Sequence, residues 1–152
     1  MMLRRATARD LPAMSALHAA SFPEGWTGES LGALLSSPGA FAFISIEVSS
    51  LAAGFVLARA AADEAEILTI AVRPNARRKG IARSLMEAAA KEARKMGAKS
   101  MFLEVGQFNR PARHLYENLG FAEAGRRKDY YGAENALVLK AELPLSPQAL
   151  GK

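Results

Sequence analysis

The segment from residue 70 to residue 83 constrains the fold more than any other part of the sequence. Ile70 and Val72 end a strongly apolar strand, a short loop rich in arginine and lysine follows, and Gly80 opens directly into a helix. Backbone N–H groups at a helix start have no partner within the helix, and the helix dipole adds positive potential there. Because Gly80 lets the backbone approach an anion closely and the basic residues add charge, the segment predicts a cradle for a pyrophosphate.

Two other phosphate loops do not fit this segment. The chain has no Gly-x-x-x-x-Gly-Lys-Ser/Thr pattern of a Walker loop, since residues 97–100 lack the required glycines, and it has no Rossmann Gly-x-Gly-x-x-Gly pattern. What remains is Arg77-x-x-Gly80-x-Ala82, which matches the Arg/Gln-x-x-Gly-x-Gly/Ala signature of acyl-CoA sites. The alternative for the basic cluster is a solvated helix start. Its position between an apolar strand and an amphipathic helix favours the anion site.

The charge of the chain points the same way. The 152 residues carry 20 Lys and Arg against 15 Asp and Glu, and the net charge of +5 is compatible with nucleic acid, an anionic membrane surface or an anionic ligand. Five of the basic residues crowd into residues 73–83, which favours the ligand. The chain has no cysteine, which excludes disulfides, thiolate nucleophiles and cysteine-based zinc sites and fits a reducing compartment.

The charge-poor stretch over residues 30–58 does not predict a membrane helix. Glu47 is its only charged residue, but residues 36–39 (Ser-Ser-Pro-Gly) interrupt it, so no run of about 20 apolar residues survives. The N-terminus reaches Asp10 and Pro12 before any apolar run, so we expect no signal peptide. We therefore expect a soluble cytoplasmic protein without a membrane partner.

Hydrophobic periodicity and capping residues predict a single domain of strands and helices. Helices are expected after the candidate caps Asp10 and Thr27 and over residues 80–96 and 109–119. Strands are expected over residues 3–6, 41–48, 52–60, 67–72, 100–105, 121–126 and 135–142. Pro144 and Pro147 predict a loose tail, so we expect the domain to span residues 1–143 and the tail to span residues 144–152.

Further motifs follow the basic loop in a fixed order. Residues 102–105 read Phe-Leu-Glu-Val, Asn109 comes next, and residues 115–121 read Leu-Tyr-Glu-Asn-Leu-Gly-Phe. Residues 21–26, Ser-Phe-Pro-Glu-Gly-Trp, lie in the first interhelical loop. With these motifs the sequence resembles the GCN5-related N-acetyltransferase (GNAT) superfamily and, within it, the RimI-type ribosomal-protein-alanine N-acetyltransferases.

The resemblance implies a single-domain α/β fold in which a central mixed, mostly antiparallel sheet of about seven strands is flanked by about four helices. A splayed strand pair would hold acyl-CoA, with acetyl-CoA as the acetyl donor. The matching positions imply Ile70, Ala71 and Val72 for the pantetheine, Arg77, Arg78, Lys79, Gly80, Ile81, Ala82 and Arg83 for the pyrophosphate, and Asn109 as a further cofactor contact.

Two residues are implied as the catalytic pair. Glu104 matches the family's general base and Tyr116 its general acid. A thiolate whose thiol has a pKa of about 8.5 leaves readily and a tyrosine can protonate it, whereas a glutamate of about 4.3 needs desolvation or a relaying water. The alternatives are an exposed strand carboxylate for Glu104 and a core aromatic for Tyr116. Glu24 and Glu66 are rival bases.

The resemblance implies an acceptor site that includes Trp26, Tyr130 and Tyr131. Trp26 fits a loop anchor equally well, and the tyrosines together with the basic residues before them also fit a solvated hairpin. Gly106 departs from the family pattern, because RimI-type sequences often carry an arginine there. If that arginine grips part of the acceptor, its function is lost or reassigned in this chain.

The resemblance predicts direct transfer of an acetyl group to a primary amine, with the N-terminal α-amine of a protein, above all a ribosomal protein, as acceptor. At pH 7, deprotonation costs about 1 kcal/mol for an α-amine and about 4.6 kcal/mol for a lysine, which favours the α-amine for a weak base. A small-molecule or lysine acceptor and a non-catalytic module that binds acyl-CoA or RNA are the alternatives. We expect no metal, since His18 and His114 lack ligand spacing, and no nucleic acid; monomer and homodimer stay open.

Overall fold

The structure of the protein, a computed structural model, describes residues 1–131 and 134–147, and of residue 131 the backbone alone. Its elements in chain order are β1 (Met2–Arg5), α1 (Leu11–Ser21), α2 (Gly28–Leu35), β2 (Ala40–Ile46), β3 (Ala52–Ala61), β4 (Glu64–Val72), α3 (Ile81–Lys95), β5 (Ser100–Gly106), α4 (Arg110–Asn118), β6 (Ala122–Tyr131) and β7 (Glu134–Glu142). Short 3-10 turns at Ala8–Asp10 and Pro74–Ala76 precede α1 and follow β4. None of the helices in the described residues is long and apolar enough to span a bilayer.

One sheet runs through the molecule in the strand order β1-β2-β3-β4-β5-β7-β6. Every neighbouring pair is antiparallel except β4 and β5, which are parallel. A parallel pair needs a crossover connection, and α3 supplies it by leading from the end of β4 back to the start of β5. The basic loop therefore lies at the C-terminal end of β4, beyond the segment of β4 that pairs with β5.

Apolar residues pack on both faces of the sheet, and a pair of helices covers each face. The core under α1 and α2 includes Met14, Leu31 and Phe55. The larger core, under α3 and α4, includes Leu85 and Met101. Because α1 and α2 pack mainly on β2, β3 and β4, the same face of β5, β7 and β6 lies beside these helices rather than beneath them.

The predicted α/β architecture of seven strands and four helices is confirmed. The largest shift at an element end is in β6, which continues to Tyr131 where the sequence predicted an end at residue 126. The apolar pattern stops there, but the ladder to β7 continues, since Arg127 pairs with Ala136 and Tyr131 with Glu134. Backbone pairing therefore extends this strand beyond its apolar residues.

Asp10 lies at the N-cap position of α1, as the sequence predicts, but its side chain makes no capping hydrogen bond to α1. Its carboxylate accepts hydrogen bonds from the Thr7 N–H (2.8 Å) and from the Arg4 guanidinium (2.8 and 2.9 Å), and so closes the 3-10 turn before α1. The hydrogen bond from Arg4 holds the pKa of Asp10 below its ordinary value. Thr27 does cap α2 as predicted, because its Oγ1 accepts a hydrogen bond from the Ser30 N–H at 3.0 Å.

The segment expected to be a loose tail begins with contacts to the domain. Leu143 and Leu145 pack against the larger core. Ser146 lies against Gly120, where a Cβ would come within 3.0 Å of the Ser146 carbonyl oxygen. The domain boundary at residue 143 stays a prediction, and residues 148–152 lie outside the described part of the chain.

Candidate active site

A wedge opens in the sheet between β4 and β5. Residues 64–66 pair with residues 100–102, but β4 continues to Val72 and β5 to Gly106 without further pairing between them. The two strands therefore separate after these three pairs of residues and leave a gap between their facing edges. This is the splayed strand pair predicted for acyl-CoA, and its mouth lies at the end of β4 that leads into the basic loop.

A β-bulge lies where the strands part. Leu68 has no partner in the register with β3, because Thr69 pairs with Leu57 and Ile67 pairs with Ala58. A bulge bends its strand and re-aims the backbone groups beside it. Nothing in the apolar pattern of β4 marks Leu68, since the extra residue shows only when the partner strand is in place.

Two of the three residues predicted to contact pantetheine direct backbone groups into the wedge. The Arg73 N–H donates to the Ala53 carbonyl at 2.7 Å, which fixes the alternation of hydrogen-bonded pairs between β4 and β3. By this alternation the backbone groups of Ala71 point to β3, whereas those of Ile70 and Val72 point away from β3, toward β5. The wedge edge of β4 therefore presents Ile70 and Val72.

The basic loop has the conformation of an anion cradle. Gly80 has φ of +79° and directly precedes the 15 residues of α3, and Arg78 holds a left-handed φ of +65°. The N–H groups of residues 78–83 have no hydrogen-bond acceptor within the described part of the chain. No atom lies within 4 Å of the position that a Cβ at Gly80 would take, so the approach to these N–H groups is open. A left-handed arginine is strained, and such strain is typical of functional sites.

Two basic side chains near the loop serve its own structure. The Arg73 guanidinium forms an ion pair with Glu47. Arg77 Nε donates to the Val72 carbonyl at 3.1 Å, and Arg77 Nη2 donates to Ser21 Oγ at 3.2 Å. Arg77 therefore braces the loop against the end of α1, and its role toward a cofactor stays a prediction.

The remaining groups of the loop fit a diphosphate. Arg78 and Lys79 are exposed beside the cradle, and Arg83 lies 3.6 Å from Glu87, one turn along α3. Backbone N–H groups at a helix start, together with two solvated cations, provide the donors and the positive potential that a diphosphate needs. The site thus relies on the backbone more than on the arginine side chains.

Tyr116 lies on α4 within the larger core. Its ring is edge-on to Phe121 at 6.1 Å between centroids, and burial raises the pKa of Tyr116 to about 12. No hydrogen bond joins the Tyr116 hydroxyl to another of the described residues. Asn109 caps α4 by accepting a hydrogen bond from the Ala112 N–H at 3.3 Å, and a contact of Asn109 with a cofactor stays a prediction.

Glu104 is a residue of β5 whose side chain is 32% exposed to solvent. Arg127 Nη1 donates to both of its oxygens, at 2.7 and 3.0 Å. The Arg127 guanidinium also lies over the Tyr130 ring, 4.2 Å from its centroid. The hydrogen bond to Glu104 raises the pKa of Arg127 above its ordinary value. Arg127 thus lies in contact with both the Glu104 carboxylate and the Tyr130 ring. We call these three side chains the acceptor ladder.

The profile of the acetyltransferase (GNAT) family matches residues 11–121, which are most of the chain. This chain belongs to the GNAT family. The superfamily and the fold that the sequence motifs imply are confirmed.

Relatives of this GNAT chain share a name. The ribosomal protein bS18-alanine N-acetyltransferase of Escherichia coli (strain K12) is 40% identical over 98 residues, which cover 62% of this chain and 65% of that protein. A Bacillus subtilis (strain 168) protein that bears the same name with a provisional qualifier is 31% identical over 140 residues, which cover 90% of this chain and 92% of that protein. The crystal structure of the ribosomal-protein-S18-alanine N-acetyltransferase from Escherichia coli matches with a TM-score of 0.86 and 27% identity over 99% of both chains.

The candidate catalytic pair of this GNAT chain lies on opposite faces of β5. Leu103 and Val105 point into the larger core with Tyr116, so the alternating residue Glu104 points to the other face. The structure records no contact between Glu104 and Tyr116 in the described residues. If Glu104 takes up a proton and Tyr116 releases one, the two transfers therefore take place on opposite faces of β5.

Trp26 is anchored in the loop between α1 and α2. Its ring stacks on the His18 ring at 4.7 Å, and the backbone N–H of Trp26 donates to His18 Nδ1 at 2.9 Å. Ser15 Oγ donates to the Trp26 carbonyl at 2.9 Å, and Phe22 packs on the other side of His18 at 4.4 Å. Burial lowers the pKa of His18, which matches its role as a neutral acceptor. Trp26 is still 36% exposed, so its ring edge is accessible, and a contact with an acceptor stays a prediction.

Gly106, the departure from the RimI-type pattern, is coupled to Glu134. A Cβ at residue 106 would lie 2.6 Å from Glu134 Oε2, the same atom that accepts a hydrogen bond from the Phe108 N–H at 2.5 Å. A side chain at residue 106 would therefore displace the carboxylate from the loop that it holds. In this GNAT chain, an acidic group from β7 occupies the space beside residue 106.

The rival bases Glu24 and Glu66 are separate candidates, and Glu66 pairs with Phe102 at the closed end of the wedge. Glu24 is exposed, and Glu66 lies 3.6 Å from Arg59 on the neighbouring strand. The side chain of Tyr131 falls outside the described residues. Over residues 1–131 and 134–147, no group of three or more His, Cys, Asp or Glu side chains is placed to hold a metal ion.

Proposed function

We propose that this chain transfers the acetyl group of acetyl-CoA to a primary amine, and that the acceptor is the N-terminal α-amine of a protein. The observation that carries the proposal is the amide cradle of residues 78–83 at the mouth of the β4–β5 wedge. Membership in an acetyltransferase family and the names of the relatives support it.

Acetyl-CoA fits the groups that the donor side presents. The N–H groups of residues 78–83 would hold the diphosphate, and the backbone of Ile70 and Val72 would pair with the amides of the pantetheine arm. Acetyl-CoA supplies an activated acetyl thioester, and the chain supplies position and proton handling. No cysteine is needed, because an amine that attacks the thioester directly forms no acyl-enzyme.

Tyr116 acts in this proposal on the departing thiolate. With a pKa of about 12, its phenol stays protonated at neutral pH and can donate a hydrogen bond. Full proton transfer to a thiolate whose thiol has a pKa of about 8.5 would cost roughly 5 kcal/mol. Stabilisation of the developing negative charge by a preorganised donor is therefore the better description of the role of Tyr116 than complete protonation.

Glu104 accepts the proton that the attacking amine must lose, either directly or through a water molecule. An α-amine suits this weak base, since about one in ten is already neutral at pH 7, whereas a lysine is almost wholly protonated. The relatives named for the alanine of ribosomal protein bS18 favour a ribosomal protein as acceptor. The proposal includes a cytoplasmic location, where ribosomal proteins are made.

Release of CoA from acetyl-CoA tests the proposal. The panel contains peptides with a free N-terminal alanine or serine, the same peptides with a blocked N-terminus and one lysine, and a polyamine. Turnover confined to the free N-termini supports the proposed acceptor. Turnover on the lysine peptide or the polyamine alone would move the acceptor to another amine, and no turnover above hydrolysis on any of them would refute an acetyltransferase of amines.

A further inference from the structure

The acceptor ladder has a property that the proposed chemistry does not use. Arg127 Nη1 donates to both oxygens of Glu104, at 2.7 and 3.0 Å, so a cationic N–H group already occupies the carboxylate proposed as base. The ring of Tyr130 lies against the other side of the guanidinium at 4.2 Å. Arg127 is therefore shared between a carboxylate and an aromatic face.

Arg127 is not level with Glu104 in the sheet, so its side chain reaches Glu104 by extending along the sheet surface. Arg127 pairs with Ala136 on β7, and Ala136 pairs with Gly106 on β5. Glu104 pairs instead with Val138, two residues further along the strands on the same face of the sheet. The residues level with Arg127 on β7 and β5, Ala136 and Gly106, are both small. The guanidinium can therefore reach across β7 to the Glu104 carboxylate. The contact is thus made by a side chain that spans two strands, not by a neighbour packed in place.

An acceptor amine needs the same contact with Glu104 that Arg127 makes. An ammonium group is a cationic N–H donor, and it must lie against Glu104 before the carboxylate or its water can take a proton. We infer that the Arg127 guanidinium occupies the binding position of the acceptor ammonium and is displaced when the acceptor binds. This inference rests on the proposed function, because it assigns the acceptor position of the same site.

The geometry makes displacement inexpensive. The side chains of Arg127 and Glu104 are 52% and 32% exposed, and ion pairs this close to solvent are screened and weak. The Tyr130 ring gives the guanidinium a second partner that it keeps after it leaves the carboxylate. The segment that carries it is also irregular, since the β6–β7 register shifts between Arg127 and Tyr131 and Asp129 has φ of +53°.

Arg127→Gln tests the inference in initial-rate measurements at saturating acetyl-CoA, with a hexapeptide that has a free N-terminal alanine as the varied substrate. Since an exposed ion pair is weak, loss of the competing guanidinium should lower the KM for the peptide about two- to fivefold and leave kcat within about twofold. Arg127→Lys should behave like the wild type, because a single ammonium can occupy both carboxylate oxygens as Nη1 does.

Arg126→Gln is the matched control. It removes the same charge from the adjacent residue, but Arg126 pairs with Glu123 on its own strand and does not touch Glu104. An equal fall in KM for both variants would overturn the inference, because the effect would then come from net charge. A fall in kcat with an unchanged KM for Arg127→Gln would overturn it as well, because Arg127 would then hold Glu104 in its working position.

A binding measurement separates this inference from the proposed function. Calorimetry with the same peptide in the presence of CoA, which has no acetyl group to transfer, reports acceptor binding alone. If no peptide is acetylated but Arg127→Gln binds the peptide more tightly than the wild type, the proposed function fails and the inference stands. If neither protein binds the peptide, the inference fails.

Discussion

The donor side and the acceptor side of the wedge are built from different parts of the chain. On the donor side, N–H groups of one continuous segment, residues 78–83, form the cradle, and nearby side chains such as Arg77 brace it. On the acceptor side, the acceptor ladder joins Glu104 to the side chain of Arg127, 23 residues away, and through it to Tyr130. A site made of backbone tolerates most changes of side chain, whereas a site made of side chains can be retuned by one substitution.

Tyr116→Phe should have the largest effect, because it removes the hydroxyl proposed to stabilise the departing thiolate and leaves the buried ring in place. We expect kcat to fall about 100- to 1,000-fold. The Kd for acetyl-CoA should stay unchanged, since the donor side does not include this hydroxyl. The thermal midpoint serves as the control, because phenylalanine keeps the contact with Phe121. A loss of rate below about threefold would remove Tyr116 from the mechanism.

Glu104→Gln should lower kcat about 100-fold, since it keeps the shape of the side chain and removes the carboxylate proposed as proton acceptor. Glu123→Gln is the matched control, because Glu123 is also a strand carboxylate paired with an arginine, Arg126. The Kd for acetyl-CoA should be the same in both variants. If Glu104→Gln stays active while Glu66→Gln does not, the base is Glu66.

Gly80→Ala tests the donor side, where a change should act on binding and not on chemistry. A side chain at the left-handed φ of +79° costs about 1–2 kcal/mol, so the Kd for acetyl-CoA should rise about five- to thirtyfold. The value of kcat at saturating acetyl-CoA should stay the same. Gly125→Ala is the control, since a Cβ at residue 125 meets nothing within 4 Å and its φ is not left-handed. An equal change in Kd for both variants would mean that the loop conformation does not matter.

Gly106→Ala should cost about 1 kcal/mol in the free energy of unfolding, because the new Cβ displaces Glu134 from the Phe108 N–H. Chemical denaturation of the single and double variants measures it. In the Glu134→Ala background the same substitution should cost less, since the carboxylate in its way is gone. Strictly additive effects would show that the two residues do not compete for this space.

The dependence of stability on pH should show the smallest effect. Burial lowers the pKa of His18 below its ordinary 6.5, so the unfolded chain takes up this proton first as the pH falls. The contribution of His18 is therefore complete above about pH 6.5 and declines below it. The lowered pKa of Asp10 acts only below its ordinary 3.8, so the two ranges are separate. Between pH 7 and 5, the thermal midpoint of His18→Asn should fall less steeply than that of the wild type; parallel curves would contradict the assignment.

The donor side was predictable because its determinants are close together in the sequence. Gly80, the helix after it and the apolar strand before it lie within one segment, and periodicity and helix-start physics are enough to interpret them. The cap at Asn109 was predictable for the same reason. The bulge at Leu68 was not, because it depends on the register with a strand that lies elsewhere in the chain.

The acceptor side was predicted in its residue types but not in its contacts. Glu104 and Tyr130 stood out through the motifs, but their link through Arg127 depends on a strand order in which β7 lies between β5 and β6. The same holds for Gly106 and Glu134, which are 28 positions apart and meet only when β7 pairs with β5. His18 looked like an ordinary histidine, because its partner Trp26 joins it only when the loop folds back on α1.

The wedge has a consequence for folding as well as for binding. A sheet whose strands part has two edges inside the molecule, and here the edge of β4 at Ile70 and Val72 has no strand beside it. A pantetheine arm carries two amide groups, so in the gap it would act as a short surrogate strand beside the edge of β4. The bound chain would then be a more complete β-structure than the free one. At a free concentration of 100 times Kd, such a ligand adds about 2.7 kcal/mol to stability.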